Sequence, residues 1–511
     1  MGRKTAKSIG LFGLLVAALV FITVLIRVSY VKWLYRPKKP PNIILISIDA
    51  LRADHLSCYG YSRKTSAHND ALAQEGVMFS NAVSHSPKTT PSHMSMITSL
   101  HHEIHQVHQV TKWGPGEGTM RLNDSVPTLA EILKKQGYAT VAFTGGANVH
   151  ASLGFDKGFD KYTHETAMDM YAHETVMDKI ISWINSNYRE NFFLFFHTYV
   201  VHDPYLPPPP YNRMYDPDYS GDIIDSREKL MSEREIDKEG NARQENYSLA
   251  DDSRRWWSAH KAFWESVDKE SSRDVDFLKA LYDGAIYCMD ERMIGVLIQK
   301  LKELNIYENT LIVFTSDHGE AFNEHQNFLH DDLFWETLHV PLILVYPGVI
   351  PENIKVEQLV RLTDIMPTIF DIMGTKTDIF MQGVSLLPAI KGEDLDLSCY
   401  SSHTNMKSIR TDEYAYIKWV EYEYPSDVPQ EQTDKYTYID IIKHEFLYDR
   451  LRDSTENYNI GADRLQMLAE QEKEIYEQSQ DCQALAERYA PTEKVFPEPE
   501  TLEKLKSLGY L

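Results

Sequence analysis

Short, uniformly apolar runs recur along the chain: Asn42-Ile-Ile-Leu-Ile-Ser-Ile48, Gly137-Tyr-Ala-Thr-Val-Ala-Phe143, Phe192 to Tyr199 and Leu311-Ile-Val-Phe-Thr-Ser316. Each reads as a strand buried on both faces. Between them lie stretches that read as helices, around Ser66 to Gln74, Val126 to Lys135 and Asp276 to Leu304. The alternation predicts an α/β fold with a mainly parallel central sheet covered by helices on both faces. In such sheets ligands collect beyond the carboxyl ends of the strands. From about Leu387 the pattern breaks into short β-like pieces such as Tyr414-Ala-Tyr-Ile-Lys-Trp419.

Three other stretches change the picture. Residues 9–26 are apolar and uncharged, flanked by Arg3, Lys4 and Lys7 before and Arg27 and Lys32 after. That length approaches the roughly 20 residues of a bilayer span, so a retained single-pass transmembrane anchor is expected over 9–28. A stiff linker with Arg36-Pro-Lys-Lys-Pro-Pro41 occupies 29–41. Positive charge is heavier after the span than before it, against the simple positive-inside expectation. Between Tyr211 and Asp274 the chain turns charged and poor in aliphatic residues, broken by Trp256, Trp257 and Trp264. This is an insertion over 211–274, either a decoration or a lid.

The formal net charge is −23, and no long basic block follows the N-terminal region, which excludes nucleic acid as the main partner. Cys58, Cys288, Cys399 and Cys482 are scattered without a close metal-binding or redox pair, and are expected to be free thiols.

Chemistry gathers at strand ends. Asp49 follows the first strand, and Asp317-His318 follow the strand ending at Ser316. Thr89, in Lys88-Thr-Thr-Pro-Ser-His93, precedes a helical run; Pro91 suits its first position and Thr90 its N-cap. A helix N-terminus favours an anion or a developing alkoxide. Two carboxylates, an imidazole and a hydroxyl form a set able to hold one divalent cation and activate the hydroxyl against a phosphate or sulfate ester.

The residues Ile48-Asp-Ala-Leu-Arg-Ala-Asp-His-Leu56, Thr89-Thr-Pro-Ser-His-Met-Ser-Met-Ile-Thr98, Ser316-Asp-His-Gly-Glu320 and His339-Val-Pro-Leu-Ile343 resemble, in order and spacing, the sulfatase branch of the alkaline phosphatase superfamily. Thr363-Asp-Ile-Met-Pro-Thr368, Gly383-Val-Ser-Leu-Leu-Pro388 and Phe446-Leu-Tyr-Asp449 continue the resemblance, which covers most of the chain from about Asn42. It implies a catalytic domain over 42–390, a small C-terminal α+β subdomain over 391–465 and a helical tail over 466–511. It also implies a catalytic domain exported to the periplasm or the cell exterior.

The departures matter as much. The family carries Cys or Ser, oxidised to formylglycine, where Thr89 stands; threonine would give a ketone, so formylglycine is not expected. The family's arginine four residues on is His93, and the second of its paired acids is Ala50. With fewer oxygen ligands than calcium prefers, zinc or manganese is favoured and calcium stays possible. The ligand set Asp49, Thr89, Asp317 and His318 is similar to that of threonine-dependent phosphoethanolamine and phosphoglycerol transferases of the same superfamily, though those begin with glutamate. By the resemblance His202, in Val201-His-Asp-Pro-Tyr205, and His330 bind ester oxygens, and His93 stands in for the arginine. His325 is a weaker candidate. Clustered His101, His102, His105 and His108 match a turn that is structural in the family.

Two functions stay open. One is a membrane-anchored, metal-dependent hydrolase or transferase acting through Thr89 on a sulfate or phosphate ester of an envelope glycan or lipid. The other is a catalytically silent relative that binds anionic glycans or lipids.

Overall fold

The computed structural model of the chain describes residues 40–108, 119–164, 173–226, 229–230, 260–423, 439–489 and 494–495. The expected anchor over 9–28, nearly all of the linker, Trp256 and Trp257 of the insertion and the end of the tail lie outside the described residues. No helix among the described residues is long and apolar enough to cross a membrane.

A central sheet of eight strands carries the fold. Its strands are β1 (Asn42–Ile48), β2 (Val77–Val83), β3 (Ala139–Thr144), β4 (Lys161–His164), β5 (Phe192–Thr198), β6 (Thr310–Thr315), β7 (His339–Val345) and β8 (Ile354–Arg361). The spatial order is β8-β2-β7-β6-β1-β5-β3-β4. β1 pairs in parallel with both β5 and β6, and only β7 runs against its neighbours. Every residue of β1, β5 and β6 is buried, which explains their unbroken apolar sequences. Ile44, Ile46 and Ile48 face one apolar cluster and Ile43 and Leu45 the other, so the sheet is sandwiched between two cores. The α/β expectation holds.

The main helices are α1 (Ala67–Glu75), α2 (Thr89–Thr98), α3 (Leu129–Lys135), α4 (His173–Asn187), α5 (Ser272–Met289), α6 (Val296–Glu303), α7 (Ile365–Met373) and α8 (Leu465–Tyr489). Thr128 and Glu131 close a reciprocal capping box at the start of α3. A π-helical stretch, Asp290–Gly295, joins α5 to α6. The C-terminal layer is an antiparallel sheet of four strands, β9 (Cys399–His403), β10 (Met406–Arg410), β11 (Tyr414–Glu423) and β12 (Ile439–Asp449). Helix α8 packs on it: Leu468, Ile475, Cys482 and Tyr489 share an apolar cluster with Met94 and Ile97 of α2 and with Ile409 and Tyr416.

The layer is pinned by a buried ion pair. Arg410 is fully buried, its Nε 2.9 Å and its Nη2 2.8 Å from the two carboxylate oxygens of Glu456, while Nη2 also donates to the Leu333 carbonyl. Removing one partner strands the other charge. Glu456→Ala is therefore expected to lower unfolding stability by about 3–5 kcal/mol, read by urea denaturation. A cost within experimental error would show that the pair is not what fastens the layers. Nearby, His325 bridges Glu336 (2.8 Å) and the Glu456 carbonyl (2.7 Å) and stacks on Phe334, which makes it a structural tie.

Candidate active site

Asp49 leaves the carboxyl end of β1, where its N–H donates to the Thr198 carbonyl of β5 (3.0 Å). Ala50 then takes a left-handed φ of 57°. That costs a non-glycine residue roughly 1–2 kcal/mol. The turn lets the Ala50 N–H donate to Asp317 Oδ1 (3.3 Å), tying the end of β1 to the end of β6. Gly319 follows Asp317-His318 because a Cβ there would lie 2.1 Å from the Glu336 carbonyl oxygen. No side chain fits.

Helix α2 begins two residues earlier than its sequence suggests. Its N-cap is Lys88, whose carbonyl accepts from the Ser92 N–H (3.1 Å), and Pro91 sits within the first turn. Proline is tolerated through that turn because its missing N–H would be unpaired in any case. Thr89 is thus the first helical residue rather than the residue before the cap. Thr90 Oγ1 donates to the Asn148 carbonyl (2.7 Å) and does not cap the helix.

Three ligand atoms converge, from Asp49, Asp317 and His318, all within 4.8 Å of one another. His318 Nε2 is 3.7 Å from Asp49 Oδ1, 3.4 Å from Asp317 Oδ2 and 3.4 Å from Thr89 Oγ1. His318 Nδ1–H donates to the Gly319 carbonyl (2.9 Å), which turns the Nε2 lone pair toward the centre. Burial drives its pKa well below the usual value, keeping the ring neutral. Asp49 Oδ1 and Asp317 Oδ2 are buried without a hydrogen-bond partner. Burial pushes Asp49 up to about 6; burial and the adjacent Asp49 charge push Asp317 up to about 8. Two orphaned carboxylate oxygens and a lone-pair nitrogen aimed at one point fit a divalent cation, which would restore both carboxylates to their charged form.

Histidines surround this centre at two levels. His93 is fully buried beneath it, its Nδ1–H donating to the Thr89 carbonyl (2.9 Å) and its Nε2 accepting from Ser47 (2.8 Å). Both nitrogens are engaged inside the protein, so His93 braces Thr89 and Asp317 from behind. On the other level, His330 lies over His318 with centroids 4.2 Å apart, its Nδ1 2.9 Å from the Pro87 carbonyl. His202 lies 5.4 Å from His330, its Nε2 4.0 Å from Asp49 Oδ1. Burial opposes the charge on His202, but Asp203 and Asp49 outweigh it and raise its pKa to about 10. The structure thus gathers Asp49, Thr89, Asp317, His318, His202, His330 and His93 in one place.

Sequence reasoning missed His197. It stands next to the last residue of β5, accepts from the Gly145 N–H at Nδ1 (3.2 Å) and donates from Nε2 to Asp49 Oδ2 (3.2 Å), leaving Oδ1 to face the centre. The available signal was an imidazole closing the apolar run Phe192 to Phe196, beside Asp49 across parallel strands. The histidine cluster after α2 is structural. His105 accepts from the Val107 N–H and donates to Ser95, and His102 pairs with Ser402. His101, Glu103 and Cys482 come within metal-binding distance of one another. Yet His101 Nδ1 accepts from the Glu103 N–H (3.2 Å), so Nε2 keeps its proton and offers no lone pair to a cation.

A hydroxyl at a helix start thus faces an Asp/Asp/His cluster at the carboxyl ends of a mainly parallel sheet. Residues 41–375 match the sulfatase family, and residues 323–484 match the C-terminal domain of N-sulphoglucosamine sulphohydrolase. The chain belongs to the sulfatase family. It is 36% identical to rat (Rattus norvegicus) arylsulfatase K over 120 residues, 24% of this chain and 21% of that protein, so the match spans about a fifth of the relative's length. It is 25% identical to an N-acetylglucosamine-6-O-sulfatase of Bacteroides thetaiotaomicron over 415 residues, 70% of this chain and 72% of that one. A phosphonate monoester hydrolase of Agrobacterium radiobacter shares the fold with a TM-score of 0.62 at 20% identity, covering 86% of this chain and 96% of that one. So does a protein solved with its substrate D-glucosamine-2-N,6-O-disulfate, with a TM-score of 0.65 at 20% identity, covering 87% of this chain and 99% of that one.

Proposed function

We propose that the chain is a metal-dependent hydrolase or transferase of a sulfate or phosphate ester that uses Thr89 as its nucleophile, without formylglycine. The observation that carries this is Thr89 Oγ1 at 3.4 Å from His318 Nε2, beside the orphaned oxygens of Asp49 and Asp317. Asp49, Asp317, His318 and Thr89 would hold one cation, zinc or manganese before calcium given one imidazole and two carboxylates. Bound there, the cation supplies charge that stabilises a threonine alkoxide. The Thr89 oxygen forms a bond to phosphorus or sulfur as the ester oxygen leaves, and water or an acceptor alcohol later displaces Thr89. His202 and His330 face the transferring group, and His202 is placed to protonate the leaving oxygen.

A sulfated threonine lacks the hemiacetal-type escape available to formylglycine, so the chemistry of the hydroxyl favours phosphoryl transfer. The relatives' names favour sulfated sugars. Purified protein should be assayed on aryl phosphate, phosphodiester and aryl sulfate esters with zinc, manganese and calcium supplied separately. Turnover of none of them under any metal would leave the silent-binder alternative.

The substrate is proposed to sit at the membrane face, on an envelope glycan or lipid. An anchor over 9–28 and the thirteen-residue linker over 29–41 would keep the start of the domain within roughly 45 Å of the bilayer. Protease added outside intact cells, or to spheroplasts, should digest the domain. Protection until the membrane is broken would place it inside.

A further inference from the structure

The insertion reaches the reacting centre through a buried carboxylate. Asp203 follows His202, and its side chain is only 3% exposed. One oxygen, Oδ1, lies 3.1 Å from His202 Nδ1, whose proton is shared with the Asp203 backbone carbonyl at 2.9 Å. The other, Oδ2, accepts from Trp264 Nε1 (2.9 Å) and is paired with His260 Nε2. Both donors belong to the segment that closes the insertion. That segment is no surface ornament: Phe263 is fully buried in the main core, with Val267, Ile223 and Ile224. Trp264 packs edge-on against Tyr205 and Phe328.

We propose that His260, Trp264 and Asp203 form a positioning relay through which the insertion fixes the ring of His202, so that Nδ1 is spent on Asp203 and Nε2 faces the ester. The relay rests on the proposal that His202 protonates the leaving oxygen. In that step the bond from Thr89 Oγ to phosphorus or sulfur forms, the bond to the leaving oxygen breaks, and the His202 Nε2 proton moves to that oxygen. The imidazole regains a proton from the water or alcohol that next displaces Thr89. A carboxylate held by donors on both oxygens cannot rotate away, and a histidine whose Nδ1–H is shared between it and the Asp203 carbonyl is held against flipping. Asp203, His260 and Trp264 do not touch substrate. Their effect travels through the ring they orient.

An acid-positioning relay matters only where the leaving group needs a proton. The test compares kcat for a phenyl ester and a 4-nitrophenyl ester of whichever acid the protein cleaves, for wild type, Asp203→Asn, His260→Gln and Trp264→Phe. The phenyl ester should lose about 100-fold in Asp203→Asn, within the range typical of general acid catalysis, while the 4-nitrophenyl ester changes by less than about 3-fold. His260→Gln and Trp264→Phe, which leave the buried carboxylate in place, should shift the ratio of the two rates in the same direction by a smaller factor. Equal losses on both esters, or none, would overturn the relay. A second readout is free of turnover: the His202 Nδ1–H should give a downfield exchangeable proton resonance that Asp203→Asn moves upfield, leaving only the bond to the Asp203 carbonyl. Its absence in the wild type would also overturn the proposal. Should Thr89→Ala turn over both esters as fast as wild type, the nucleophile reading falls, while the ester ratio and the resonance still decide the relay.

Discussion

Thr89→Ala is expected to abolish turnover, with kcat down by about 10⁴-fold or more, the range seen when a covalent nucleophile is removed. Thr89 is fully buried at the start of α2, and the substitution keeps its Cβ and the helix while removing the one hydroxyl aimed at His318 Nε2. Thr90 offers no replacement, since its hydroxyl is committed to the Asn148 carbonyl. Thermal unfolding should move by no more than a few degrees, because a buried γ-methyl is worth about 1 kcal/mol. Thr89→Ser should retain measurable activity. Intact mass of the peptide spanning Thr89 should match plain threonine, or threonine carrying one phosphate or sulfate. Full activity of Thr89→Ala, or an oxidised residue at that position, would remove Thr89 from the mechanism.

The second large effect concerns the cation. Purified protein should carry one divalent metal per chain, and chelation should stop turnover until metal is returned. Asp317→Ala should lose both metal and activity, since it deletes one of the two carboxylates whose ligand atoms converge with His318. His197→Ala should retain the site but bind metal about 10–100-fold more weakly, the usual cost of removing a partner that orients a ligand. This graded pair separates a ligand from its support. Metal content unchanged in Asp317→Ala would refute the centre as assigned. Equal losses in both variants would refute the division of roles.

The parts of the fold legible in the sequence were those where burial is two-sided. β1, β5 and β6 are covered on both faces and so read as unbroken apolar runs, and Asp49 and Asp317-His318 were visible because each terminates such a run. β7 was not read as a strand because Pro341 interrupts it. The structure accommodates that proline where the register with β2 shifts, between Val340 and Leu342. The packing of α8 was hidden because its buried stripe, Leu468, Ile475, Ser479, Cys482, Ala486 and Tyr489, includes small and polar residues and few large apolar ones along a largely polar helix. His197 and Asp203 were missed for a different reason. Their importance comes from what faces them across the sheet and the insertion, and no local pattern records that.

The strand order has a consequence for how this protein comes into being. β2 lies between β7 and β8, so residues 77–83 wait for partners that end at Val345 and Arg361. β1 waits for β6, and α2 completes its apolar seat only when α8, ending at Tyr489, packs beside it. Contacts this distant along the chain fold slowly. During synthesis Thr89 therefore emerges more than two hundred residues before Asp317 and His318, which face it in the folded chain. On the proposed reading, a ribosome-bound fragment carrying Thr89 alone would be chemically mute, and reactivity would be switched on late, by the arrival of the C-terminal half.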